Sequence, residues 1–156
     1  DAVLFKFTNA VCDSYNKSWV VINNCRIRAV SRSKNTFNFN GTIIHPSHNI
    51  FVEGQLFKRA SGYKPWLFKA TIDACRFAKK SYNPVAIIVY NLFKQFSNLN
   101  HTCPYVGHQI IKGFYLRHEL LLNPIPTGQY LLNLTWLFGM RKQFFTNVYF
   151  EFTEDL

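Results

Sequence analysis

Large apolar side chains recur at every second position through most of this chain, and that spacing restricts its fold more than any other feature. Successive side chains of a β-strand point to opposite faces, so a period of two marks a strand with one buried and one solvated face. Val3, Phe5 and Phe7 alternate with Leu4, Lys6 and Thr8. Trp19, Val21, Cys25, Ile27 and Ala29 form a second apolar set, with Arg26 and Arg28 on the other parity. Phe37, Phe39 and Ile43 alternate with Asn38, Asn40 and Thr42, and Trp66, Phe68, Ala70 and Ile72 with Lys69, Thr71 and Asp73. Phe114, Leu116, Leu120 and Leu122 oppose Arg117 and Glu119. Tyr130, Leu132, Leu134, Trp136 and Phe138 oppose Asn133 and Thr135, and Phe144, Val148, Phe150 and Phe152 oppose Asn147 and Glu151, with residues 139–143 as the turn between them. Residues 50–58 are apolar at both parities, which predicts a strand covered on both faces. The pattern predicts a mostly β protein, an antiparallel two-sheet β-sandwich of about eight strands.

One stretch departs from this period. Val85, Ile88, Val89, Leu92, Phe93 and Phe96 fall at i, i+3, i+4, i+7, i+8 and i+11, the spacing of one helix face. Asn83 suits an N-cap and Pro84 the first helical position. One amphipathic helix is therefore expected as an insertion in the sandwich.

The 156 residues suit a single domain, 1–156, and 48% hydrophobic content with 16 Phe excludes a disordered chain. No apolar run reaches the roughly 18 residues a membrane-spanning helix needs. Lys and Arg number 18 against 8 Asp and Glu, for a net charge of +10. Such a surface attracts anionic partners, including an anionic membrane surface or a glycan. Nucleic acid is not expected, because the basic residues are scattered and no recognition motif collects them.

Cys12, Cys25, Cys75 and Cys103 allow three pairings. None forms a C-x-x-C pair, so neither a zinc ribbon nor a thioredoxin-like site is indicated. The local pairing is favoured: Cys12 with Cys25 across a hairpin, and Cys75 with Cys103 around the helix. Four glycosylation sequons begin at Asn16, Asn40, Asn100 and Asn133, where chance would give roughly one or two. Cysteines and sequons together predict a secreted, disulfide-bonded glycoprotein. Its first residue, Asp1, fits removal of a signal peptide, or a shortened sequence.

Catalytic signatures are missing. There is no nucleophile elbow, phosphate-binding loop or dinucleotide fingerprint. Asp13, Glu53, Asp73 and Glu119 are isolated in sequence, while Glu151, Glu154 and Asp155 gather at one end. His118 and Glu119, as strand neighbours, would point apart. The expectation is no enzyme, no cofactor and no metal.

Several stretches resemble a large insect family of secreted proteins of uncharacterised function that includes the chemosensory B proteins. They are Phe7-Thr8-Asn9 before Cys12, Gly62-Tyr63-Lys64-Pro65-Trp66-Leu67, Asp73-Ala74-Cys75-Arg76-Phe77, Asn83-Pro84-Val85, the run Ser97-Asn98-Leu99-Asn100-His101-Thr102-Cys103-Pro104-Tyr105, and Pro126-Thr127-Gly128-Gln129-Tyr130 before Trp136. That family is similar in turn to the ganglioside-activator and ML lipid-recognition proteins, in which a β-sandwich opens to take lipid between its sheets. Cys103-Pro104 followed by Lys112-Gly113-Phe114-Tyr115 looks like an ML-type feature. The resemblance implies a binder of lipid or another small apolar ligand such as a semiochemical. Phe37, Phe39, Trp66, Phe68, Phe93, Phe96, Trp136, Phe138, Phe150 and Phe152 would line the cavity, with basic residues at its mouth. The alternative is a ligand-free module with a filled core, acting on a receptor or glycan through its cationic surface. A cavity above about 300 Å³ separates the two.

Overall fold

A computed structural model describes residues 3–154; Asp1 and Asp155 lie outside them. Eight antiparallel strands form two sheets. They are β1 (Leu4–Ser14), β2 (Val20–Ser31), β3 (Lys34–Ser47), β4 (Ile50–Ala60), β5 (Gly62–Asp73), β6 (Tyr105–Phe114), β7 (Gly128–Phe138) and β8 (Arg141–Thr153). The larger sheet has the order β1-β8-β7-β4-β5 and the smaller β2-β3-β6. The sandwich expected from the alternation is present.

The parities hold where the ladder is regular. Phe5 pairs with Phe152, Phe7 with Phe150 and Trp136 with Phe144, which puts their rings on the inner face of the large sheet. On β3, Phe37, Phe39 and Ile43 are buried. On β2 the expected parity fails. A bulge between Ile22 and Asn24 changes the register, so Val20 is buried at 1% exposure while Val21 is exposed. An extra residue in one strand reverses the faces beyond it, and alternation counted straight through the bulge puts Trp19 and Val21 on one face with Cys25.

Three further expectations are corrected. The strand through Phe114 ends there, and residues 118–120 form a 3-10 turn, so Leu116, Leu120 and Leu122 are not strand neighbours. Leu122 is 80% exposed. The turn between β7 and β8 is tighter than 139–143. Gly139 (φ 56°) and Met140 (φ 65°) are both left-handed, which matches the two-residue type I′ hairpin. The outer residues Phe51, Glu53, Gln55 and Phe57 of β4 are only half-buried, so this strand is not sealed on both faces.

The helical insertion has two parts. Helix α1 (Ala74–Lys79), which periodicity does not reveal at six residues, is capped by Asp73 accepting from the Arg76 N–H. Helix α2 (Pro84–Phe93) runs into a 3-10 turn at Lys94–Phe96. Asn83, at φ 68°, caps α2 by accepting from the N–H groups of Val85 and Ala86, 3.1 Å each. Asparagine tolerates this left-handed backbone better than most residues, and the side chain satisfies two otherwise orphaned donors.

The disulfides are Cys12–Cys25 and Cys75–Cys103. The first does not close a hairpin. Because β1 and β2 belong to different sheets, it fastens one sheet to the other. The second joins α1 to the segment before β6 and so closes the chain carrying both helices. No described helix is long and apolar enough to cross a membrane.

Candidate functional site

Five strands face three, so the small sheet cannot cover the large one. Strands β2 and β3 pack against β1, and their rings fill that side. Phe7 meets Phe114 edge-on at 4.9 Å, Phe5 meets Phe152 at 5.6 Å, and Phe39 stacks over Phe144 at 6.3 Å. At the other side, strands β4, β5 and β7 are covered by α1 and α2, with a cavity of about 400 Å³ between sheet and helices.

The sheet wall comes from Val52 and Gly54 of β4, Phe68, Ala70 and Ile72 of β5, and Leu132, Leu134 and Trp136 of β7. The opposite wall comes from Ala74, Phe77 and Ala78 of α1 and Val85, Ala86, Val89, Tyr90 and Phe93 of α2. Small residues make the space. A Cβ on Gly54 would lie 3.2 Å from Leu134 Cδ2, so a larger side chain there must displace the Leu134 side chain, which also lines the hollow. Ala70, Ala74, Ala78 and Ala86 likewise leave unfilled volume where most core positions carry Leu or Phe. Ala78, Ser81, Asn100 and His101 are the lining residues that are exposed, which places the mouth beside α1 and the 99–101 segment.

Polar groups near the cavity are engaged locally. Tyr90 donates to the Leu99 carbonyl at 2.8 Å, and Tyr105 donates to the His101 carbonyl. Burial raises the Tyr105 phenol above the usual tyrosine value, with the Tyr90 hydroxyl adding to the effect and the His101 hydrogen bond opposing it. His101 stacks on Tyr105 with ring centroids 4.0 Å apart. Among the described residues no three His, Cys, Asp or Glu side chains form a group able to hold a metal ion.

Of the ten aromatics expected to line a cavity, three do: Phe68, Phe93 and Trp136. Phe37, Phe39, Phe138 and Phe152 are core residues. Phe150 stacks on Tyr130 at 5.3 Å, Trp66 packs on Tyr130 at 5.5 Å and Phe96 stacks on Phe114 at 5.5 Å. The missed lining residues include branched aliphatics such as Val52, Ile72 and Leu134 and a set of small ones, Gly54, Ala70, Ala74, Ala78 and Ala86. The signal of the small ones was available in Gly54 and Ala70, which stand where inward-facing strand positions otherwise carry large side chains.

The sequon asparagines differ in setting. Asn100 is exposed at the cavity mouth. Asn16 is half-buried and accepts from the Ser18 N–H. Asn40 accepts from Asn23 Nδ2 at 3.2 Å on the outer face of the small sheet. Asn133 is half-buried, and its Nδ2, the atom a glycan would be joined to, donates to Asn147 Oδ1 at 2.6 Å.

No curated protein matches the chain. A family model matches residues 52–132, a span that carries every lining residue of the cavity except Leu134 and Trp136. The chain belongs to that family, which is described as protein of unknown function (DUF1091).

Proposed function

We propose that this protein is a secreted binder or carrier of a small apolar molecule, held between the helices and β4, β5 and β7. The observation that carries the reading is a cavity of about 400 Å³ walled mainly by apolar side chains. Such a cavity lies within the range of small-molecule pockets. Burying apolar ligand surface there supplies the driving force, about 25 cal/mol per Å² before ordering costs. The resemblance to chemosensory B and ML lipid-recognition proteins supports the same reading, as do the two disulfides, which suit an oxidising compartment. No catalytic step is assigned to the site.

The test is uptake of the neutral fluorescent probe N-phenyl-1-naphthylamine by protein secreted from a eukaryotic host. Saturable binding is expected at one site per chain. Gly54→Val and Ala70→Leu, which place methyl groups in the hollow from two different strands, should each weaken uptake at least tenfold with the fold retained. Absence of saturable binding by the wild-type protein would sink the reading.

A second reading is a secreted module acting on an anionic receptor or glycan. Arg26, Arg28 and Arg32 are exposed on and just beyond β2, and the one ion pair among the described residues is Lys6–Glu151 at 4.0 Å. Salt-sensitive retention on immobilised heparin, undiminished by the two cavity variants, would favour it.

A further inference from the structure

The charge around the cavity distinguishes one class of apolar ligand from another. Among the described residues no Asp, Glu, Lys or Arg borders the space, although the chain carries a net charge of +10. Helix α1 shows how the cations are kept out. Its Ala74, Phe77 and Ala78 face the cavity, whereas Cys75, Arg76 and Lys79 border a separate groove with His48, Asn49 and Asp73. The Arg76 guanidinium lies over the Tyr82 ring at 4.2 Å. The cations of this helix thus turn away from the cavity, contrary to the expectation of basic residues at its mouth.

Apart from the His101 imidazole, whose Nδ1 lies 2.8 Å from the Thr102 carbonyl oxygen, the polar groups that remain are hydroxyls and amides. Both lining phenols donate their protons to backbone carbonyls, Tyr90 to Leu99 and Tyr105 to His101. Asn83 uses its Oδ1 to cap α2, which leaves its amide N–H groups as uncharged donors, and Ser81 and Asn100 also border the space. A hydroxyl, ester or ketone can meet such donors. An ionised carboxylate taken out of water with no cation beside it pays a far larger desolvation cost. The size of the space adds a second limit. About 400 Å³ lies near the low end of the roughly 300–1,000 Å³ span of small-molecule pockets, which suits a ligand with one short chain.

We propose that the cavity selects a single-chain, uncharged ligand with an oxygen function at its head, such as a fatty alcohol or ester, and discriminates against the ionised fatty acid of equal length. This rests on the carrier reading above. The experiment is displacement of bound N-phenyl-1-naphthylamine at pH 8 by decan-1-ol, methyl decanoate and sodium decanoate. The alcohol and ester should each displace the probe at a concentration at least tenfold below that needed for decanoate. Ala78→Lys, a change at an exposed lining position, should bring decanoate to within about threefold of the alcohol. Decanoate competing as well as decanol against the wild-type protein would overturn the selectivity and leave the carrier reading standing. An unchanged ratio in Ala78→Lys would also count against it. If the probe binds but none of the three displaces it, the single-chain ligand class is overturned; if the probe itself does not bind, the carrier reading falls as well.

Discussion

The two ends of this sandwich are closed by different means. On the β1 side, sheet meets sheet, and Phe5, Phe7, Phe37, Phe39 and Phe152 are all buried, Phe5 against Phe152 and Phe37 against Phe7 and Phe39. The Cys12–Cys25 bond fastens that end. On the β5 side, helices replace the missing strands, Gly54 and a set of alanines leave a hollow, and the Cys75–Cys103 bond closes the covering segment. A ring-filled interior gains stability from contact and has no room for a guest. A cavity walled by small residues forgoes those contacts, and a bound ligand can restore them. Aromatic rings occur at both ends, and the open end is set apart by the small residues Gly54, Ala70, Ala74, Ala78 and Ala86 among them.

Truncation should separate the ends most sharply. Phe7→Ala, at 1% exposure against Phe37 and Phe114, is expected to cost about 3–5 kcal/mol, read by urea denaturation. Ala70→Leu, at the hollow end, should change stability by less than about 1.5 kcal/mol. Similar losses from both would mean that the hollow is already tightly packed.

The disulfides give the next contrast. Removing Cys75–Cys103 with paired Ser substitutions opens a loop of about 29 residues, worth roughly 3.5 kcal/mol in the chain-entropy model. Probe uptake should fall with it, because both helices sit inside that loop. The corresponding Cys12/Cys25 variant should lose less, about 3 kcal/mol for its shorter loop, and should keep probe uptake in the folded fraction. Equal loss of uptake in both would break the assignment of the binding site to one end.

A smaller effect comes from Tyr130, which is fully buried in the solid part of the core and donates to the Pro126 carbonyl. Burial, with the Glu154 charge second, pushes its phenol up to about 12 from the usual 10.0. Between those values the folded protein keeps a proton that the unfolded chain has released. Stability should therefore be intact below pH 10 and fall as pH rises toward 12, by up to about 1.4 kcal/mol per pH unit. Tyr130→Phe should flatten that slope in chemical denaturation curves. A slope unchanged by the substitution would assign it to other groups.

These contrasts also show which features were legible from residue order. The sandwich followed from alternation in β3, β7 and β8, and α2 from its apolar spacing with Asn83 and Pro84 at its start. Both rest on local geometry that repeats along the chain. The β2 parity was lost at a bulge, which is a pairing event between strands and leaves no mark in spacing alone. Helix α1 is too short for a periodic signal. Alternation marks Phe37, Phe152, Phe68 and Trp136 alike as inward, yet the first two fill the core while the last two line the cavity with Gly54, Ala70 and Ala86. Which inward positions meet a facing sheet and which meet a helix depends on five strands opposing three, a fact of topology.

The most direct measurement of the central claim is native mass spectrometry of the protein secreted from a eukaryotic host, before and after mild organic extraction. The account predicts a fraction of molecules carrying one small apolar guest, lost on extraction, with the empty protein then taking up one N-phenyl-1-naphthylamine. A bare mass before extraction, followed by no uptake of the probe, would contradict it.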